Sequence, residues 1–141
     1  MELTNIELFF FEKALTNATS DLRASKVKNL SLNVFVFRNL KLVSEICDAY
    51  RKEIDAFKPE RLVELNAKSE LTEEETAEKK ALAEDNDKAI TEFLNKKTTI
   101  EFHSGDIDLS AMNGLEVNYD SSTVIGFLLD LKNQSKNEKP D

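Results

Sequence analysis

His103 is the one histidine and Cys47 the one cysteine of this 141-residue chain. A Cys-His or Ser-His-Asp machine would therefore have to join His103 to Cys47 or to a serine such as Ser104. Nucleophilic catalysis of that kind needs a base within hydrogen-bond reach of the nucleophile and a local frame that exposes it. No nucleophile elbow or protease signature surrounds these residues. Cys47 falls among apolar residues at helical spacing, where a thiol reads as a small core side chain and is poorly ionised. His103, Asp106 and Asp108 bring metal-ligand chemistry close to a turn. Zinc usually takes four ligands and calcium more oxygens around a glycine, so the cluster reads as a turn with solvated charges. With only Gly105, Gly114 and Gly126, the chain lacks a glycine-rich phosphate cradle. The expectation is a non-enzymatic protein with no cofactor, no metal and no evident small-molecule substrate.

Carboxylates are the one abundant chemical group. They occur in runs, Glu73-Glu74-Glu75 and Glu84-Asp85-Asn86-Asp87, and not as single acids in apolar surroundings that would raise a pKa. Residues 60–95 carry a net charge of −6 out of −8 for the whole chain. Glu73, Glu74, Glu75, Glu78, Glu84, Asp85 and Asp87 are the candidate partner interface. Two uses compete: contact with a protein partner, and imitation of nucleic-acid phosphates to block a nucleic-acid-binding host protein. Lys79, Lys80 and Lys88 interrupt the acids and favour local ion pairs, which weighs against mimicry. The acidic balance itself opposes direct binding to nucleic acid or to an anionic membrane.

The elements that must position these groups are mostly helical. Thr4-Asn5-Ile6-Glu7 is a capping box that starts a helix at about residue 5, and the weak formers from Asn17 to Ser20 predict its end near 20. Val36, Leu40, Val43, Cys47, Tyr50, Ile54 and Phe57 alternate steps of four and three, which predicts a helix over 31–57 with Ser31 as cap. At 1.5 Å per residue it is about 40 Å long. Its seam serves either the domain's own core or a second copy. Leu30, Leu32, Val34 and Val36 also alternate in the manner of a strand, so 30–37 carries both readings. Lys58-Pro59 breaks the helix. Leu62, Val63 and Leu65 permit a short helix, and Thr72 with Glu75 caps another over 73–95, whose sparse first half is expected to protrude.

From residue 98 the period changes. Residues 98–102, 107–109 and 115–117 are short candidate strands, and Ser110 to Asn113 is a helical turn closed by Gly114. Asp120 or Ser121 caps a last helix that buries Val124, Ile125, Phe127, Leu128 and Leu131. The fold class is mainly α with a small β element (α+β): a long central helix packed by shorter helices, plus a hairpin or small sheet near residues 98–118. The expected organisation is one globular domain over 1–131 and a disordered polar tail over 132–141. Met1 to Glu12 lacks the basic flank and apolar core of a signal peptide, and a single cysteine forms no internal disulfide.

With these segments in place, the layout resembles a group of small proteins encoded by tailed bacteriophages. The resemblance lies in Leu3-Thr4 opening a first helix, in Lys26 to Ser31 leading into a long helix with Arg38-Asn39-Leu40, and in Phe93-Leu94-Asn95 followed by Ile100-Glu101-Phe102 and Ile107-Asp108-Leu109-Ser110. It implies a phage accessory or virion-associated protein, in the cytoplasm of a bacterial host or in the virion, acting through protein contacts. It supplies no catalytic residue and no ligand.

Overall fold

The computed structural model describes residues 1–103, 107, 109–112 and 114–137. Helix α1 (Asn5–Ala24) starts at the expected capping box: the Thr4 hydroxyl accepts from Glu7 N at 3.2 Å, and Thr4 N donates to the Glu7 carboxylate at 3.1 Å. It runs four residues past its expected end. The Thr16 and Thr19 hydroxyls donate to the carbonyls of Glu12 and Leu15, both at 2.9 Å, sharing the acceptors of the helix's own i−4 bonds through their second lone pairs. Ala18, Thr19 and Leu22 are buried, so packing overrides the weak propensities. The Lys28 ammonium closes the helix by donating to the carbonyls of Arg23 and Leu22.

Helix α2 (Leu30–Ala56) is the long helix of the seam, and residues 30–37 are helical. Its cap is Asn29 and not Ser31: the Asn29 side-chain oxygen accepts from Leu32 N at 3.0 Å. Val36, Val43 and Cys47 are fully buried, while Leu40, Tyr50, Ile54 and Phe57 are half-buried. The seam is thus a contact within the chain. Helix α1 packs against both α2 and α5 and touches α4, so it, more than α2, is the hub.

Pro59 caps the short α3 (Glu60–Ala67), and the Thr72–Glu75 capping box opens α4 (Glu73–Asn95). The small β element pairs β1 (Glu2–Thr4) antiparallel with β2 (Lys97–Thr99), Leu3 opposite Thr98. This corrects the hairpin expected within 98–118. The end of α4 is delivered to the start of α1, where Asn5 N donates to the Lys96 carbonyl at 2.8 Å. Residues 2–4 are therefore the strand within reach. Ile100 N donates to the Met1 carbonyl at 2.8 Å and extends the ladder. Leu109–Met112 form a 3₁₀ turn, followed by Gly114 at φ +77°, a conformation glycine adopts without steric cost. Residues 115–117 are not a strand; Glu116 N donates to the buried Ser25 hydroxyl at 3.2 Å.

Helix α5 (Tyr119–Asn137) is capped by Asn118, whose side-chain oxygen accepts from Ser121 N at 2.9 Å. Ser121, one of the two expected caps, is buried and gives its hydroxyl to Asp21 instead. Val124, Ile125, Leu128 and Leu129 are buried, and half-buried Phe127 meets Phe11 edge-on at 5.6 Å between ring centroids. The helix occupies the first part of the expected polar tail, to Asn137; residues 138–141, and the side chain of Leu131, lie outside the described residues.

Candidate functional site

The two groups with nucleophilic or acid–base chemistry are held in opposite environments. Cys47 is wholly buried on the inner face of α2, its sulfur 3.6 Å from the Leu8 carbonyl. Burial pushes the thiol up to about 12, with the Glu12 carboxylate adding to the shift. The thiolate that nucleophilic chemistry requires is therefore suppressed. His103 is exposed and lines an open hollow of about 330 Å³ with Arg38, Lys41, Leu42 and Glu45. Its structural bonds are made by its main chain, which is tied to Asn39. Ser104, Gly105, Asp106 and Asp108 lie outside the described residues. Among the described residues, no group of three or more His, Cys, Asp and Glu is placed to hold a metal ion.

The acidic candidates divide by whether they are paired. Glu75 is half-buried, closes the capping box and pairs with Lys68 of the preceding segment. Glu78 takes a two-pronged contact from Arg61 of α3, Nε to Oε1 at 2.8 Å and Nη2 to Oε2 at 3.1 Å. The hydrogen bonds from Lys68 and Arg61 hold both carboxyls below the usual range. These two acids therefore clamp α4 to its neighbour. Glu73, Glu74, Glu84, Asp85 and Asp87 are exposed and make no ion pair or side-chain hydrogen bond among the described residues. The local pairs expected from Lys79, Lys80 and Lys88 do not form there; the ion pairs of α4 run to Arg61 and Lys68.

At 100° per residue the unpaired acids form rows along the outer face. Glu74 and Asp85 share one with Glu92, an exposed acid that the runs of like charge did not mark; Glu73 and Glu84 share another. Eleven residues are close to three turns, so like positions in a row lie about 16 Å apart along the axis.

A polar and aromatic junction fixes the far end of this helix. The Asn5 amide nitrogen donates to the Phe93 carbonyl at 2.8 Å, and its oxygen accepts from the Thr98 hydroxyl at 2.7 Å. The Thr98 hydroxyl in turn meets the Tyr50 hydroxyl at 2.6 Å. The Phe93 ring stands edge-on to Tyr50 at 5.2 Å and to Phe57 at 5.5 Å. α4 itself has no fully buried residue, so this junction and its contact with α3 carry its placement.

A second surface escaped the sequence reading. Leu30, Val34 and Phe37 follow steps of four and three along the outer side of α2 and are 78, 40 and 46% exposed. Helical periodicity marks them, but in the same segment alternation gives an equally regular strand pattern. Between α1 and α2, Thr19, Leu22, Arg23, Asn33, Val34 and Phe37 line a groove of about 190 Å³. The Arg23 guanidinium lies 6.0 Å from the centroid of the Phe37 ring.

Among the described residues no helix is long and apolar enough to cross a membrane. Comparisons with protein-family models, with curated proteins and with solved structures return no match.

Proposed function

We propose that the chain is a non-enzymatic protein-interaction module, an accessory or virion-associated protein of a tailed phage, and that the outer face of α4 is its partner surface. The observation that carries this reading is the division of the acids: two are used to hold α4 in place, while five of the seven are exposed and have no side-chain partner among the described residues. A row of uncompensated like charges destabilises a helix slightly and is a fitting feature where a complementary surface neutralises it on binding. The phage setting is supported by the layout of short motifs from Leu3-Thr4 to Ile107-Asp108-Leu109-Ser110.

The test is affinity capture from native host or virion material, read by mass spectrometry, with two baits. One is the natural chain; the other carries Glu73→Gln, Glu74→Gln, Glu84→Gln, Asp85→Asn and Asp87→Asn. A partner retained by the first and lost by the second supports the reading, given unchanged helical circular dichroism. Equal capture by both baits removes α4 as the interface.

The unpaired state of the same five acids also favours a second reading, an inhibitor that occupies a nucleic-acid-binding host protein. In that case the captured partner is a DNA- or RNA-binding protein, and the natural chain competes with nucleic acid for it, with competition weakening steeply as salt rises. Indifference to salt excludes it.

A further inference from the structure

We propose that the apolar stripe of Leu30, Val34 and Phe37, with the groove beside it, docks an acidic amphipathic helix of a partner protein. This surface is separate from the outer face of α4. Residues 22–44 contain Arg23, Lys26, Lys28, Arg38 and Lys41 and not one acid, in a chain whose net charge is −8. The stripe runs through the middle of this basic stretch, which also holds Val27, 44% exposed. Apolar side chains at helical spacing beside a groove, carried on a stretch of one sign of charge, match the helix-in-groove mode of recognition, in which apolar anchors give affinity and the charges select the partner.

Charge and size narrow the occupant. A second copy using the same face would set five positive charges against five. The chain's own outer α4 face has the right sign, but its exposed apolar residues there are Ala77 and Ala81, too small to fill the groove. An occupant with acids and at least one bulky apolar anchor satisfies both conditions.

The test uses the full chain and a fluorescein-labelled designed peptide of roughly 18 residues, long enough to hold a helix, with Leu at alternating steps of three and four and Glu and Gln elsewhere. Anisotropy should show saturable binding that weakens with salt. Phe37→Ala should weaken it about tenfold or more, the loss of a central anchor. The pair Arg38→Glu and Lys41→Glu should weaken it and flatten its salt dependence. Replacing Leu by Ala or Glu by Lys in the peptide should abolish binding. The α4 variant Glu84→Gln, Asp85→Asn should bind the peptide as the natural chain does, which separates this surface from the interface proposed above. Phe37, Arg38 and Lys41 are all exposed, and circular dichroism checks that the variants fold. Absent binding, or binding indifferent to Phe37→Ala, overturns the proposal. So does association with phosphatidylglycerol vesicles, or concentration-dependent self-association, that the same substitutions remove.

Discussion

The side-chain amide of Asn39 exchanges two hydrogen bonds with the main chain of His103: its nitrogen donates to the His103 carbonyl at 3.3 Å, and its oxygen accepts from His103 N at 2.8 Å. Asn39 is entirely buried, and its nitrogen also donates to the Phe35 carbonyl at 3.1 Å. One residue of α2 thus satisfies an irregular segment that no strand covers. Removing the amide leaves part-buried main-chain groups of His103 without these partners and a cavity at a buried site, so Asn39→Ala should destabilise the fold by about 1–3 kcal/mol. His103→Ala keeps both main-chain bonds and removes only an exposed ring, so it should stay within about 0.5 kcal/mol of the parent. Urea denaturation of the two variants checks the contrast, and equal losses would show that the imidazole matters.

Cys47 should be inert. A thiol reagent at mildly alkaline pH should modify it only as fast as the protein opens, because the buried thiol is pushed up to about 12 from an ordinary 9.0. The shift also sets a pH dependence. Between about 9 and 12 the unfolded chain releases the thiol proton while the folded chain keeps it, so the folded state binds more protons and stability falls as pH rises through that window. Below it the contribution is complete. The slope from one group is at most about 1.4 kcal/mol per pH unit. Other groups titrate there too, so the measurement is the difference between the natural chain and Cys47→Ala in denaturant melts at several alkaline pH values. Identical slopes would refute the role of the thiol.

The long helices were legible because each carries its own signal: the seam from Val36 to Phe57 repeats for three heptads, and Thr4–Glu7 and Thr72–Glu75 are local capping boxes. What was not legible depends on partners distant in sequence. Residues 98–102 read as a strand and Lys97–Thr99 form one, but nothing local says that Glu2–Thr4 will pair with it; that follows from α4 ending where α1 begins. Asn39 stands one place before Leu40 of the seam, and no periodic pattern marks a polar residue that is buried for the sake of another segment's backbone. The acidic interface was legible in composition only. Its division into clamping and outward acids required Arg61 and Lys68 to be placed. The stripe of Leu30, Val34 and Phe37 was obscured because helical and alternating patterns coincide there.

Helices α3 and α4 should open before the rest. The large core cluster draws on α1, α2 and α5, whereas α3 buries only Leu62 and Leu65 outside it and α4 buries nothing fully. Few buried contacts mean a low free energy of local opening. Hydrogen exchange should therefore be faster in Glu60–Ala67 and the first half of Glu73–Asn95 than in Leu32–Cys47, and Arg61→Ala should speed the former only. The pairs add an acid dependence. The Glu75 and Glu78 carboxyls are lowered from 4.5, so their contribution is present above that pH and is lost as pH falls through their folded values. The gap between thermal melts of the natural chain and Arg61→Ala should begin to shrink below about pH 4.5 and close once pH is below the lowered folded values. A gap that persists in acid would mean that Arg61 acts through packing and not through Glu78.

Asn86 offers a change in the opposite direction. It is half-buried on the inner side of α4, and its side-chain oxygen has no hydrogen-bond partner among the described residues. A buried acceptor left unpaired carries its desolvation cost without return, and asparagine is also a weaker helix former than alanine. Asn86→Ala removes both penalties and should raise stability by about 1 kcal/mol, which in a chain of this size corresponds to a Tm increase of roughly 4 °C. The same variant should leave the designed peptide's affinity unchanged, since Asn86 is remote in the chain from the α1–α2 groove. Asn33 has the same inaccessible oxygen, unpaired among the described residues, so Asn33→Ala should raise stability likewise. Calorimetric melts of the two variants and an anisotropy titration of Asn86→Ala read these effects. A Tm at or below the parent's for Asn86→Ala would show that its amide is satisfied in solution.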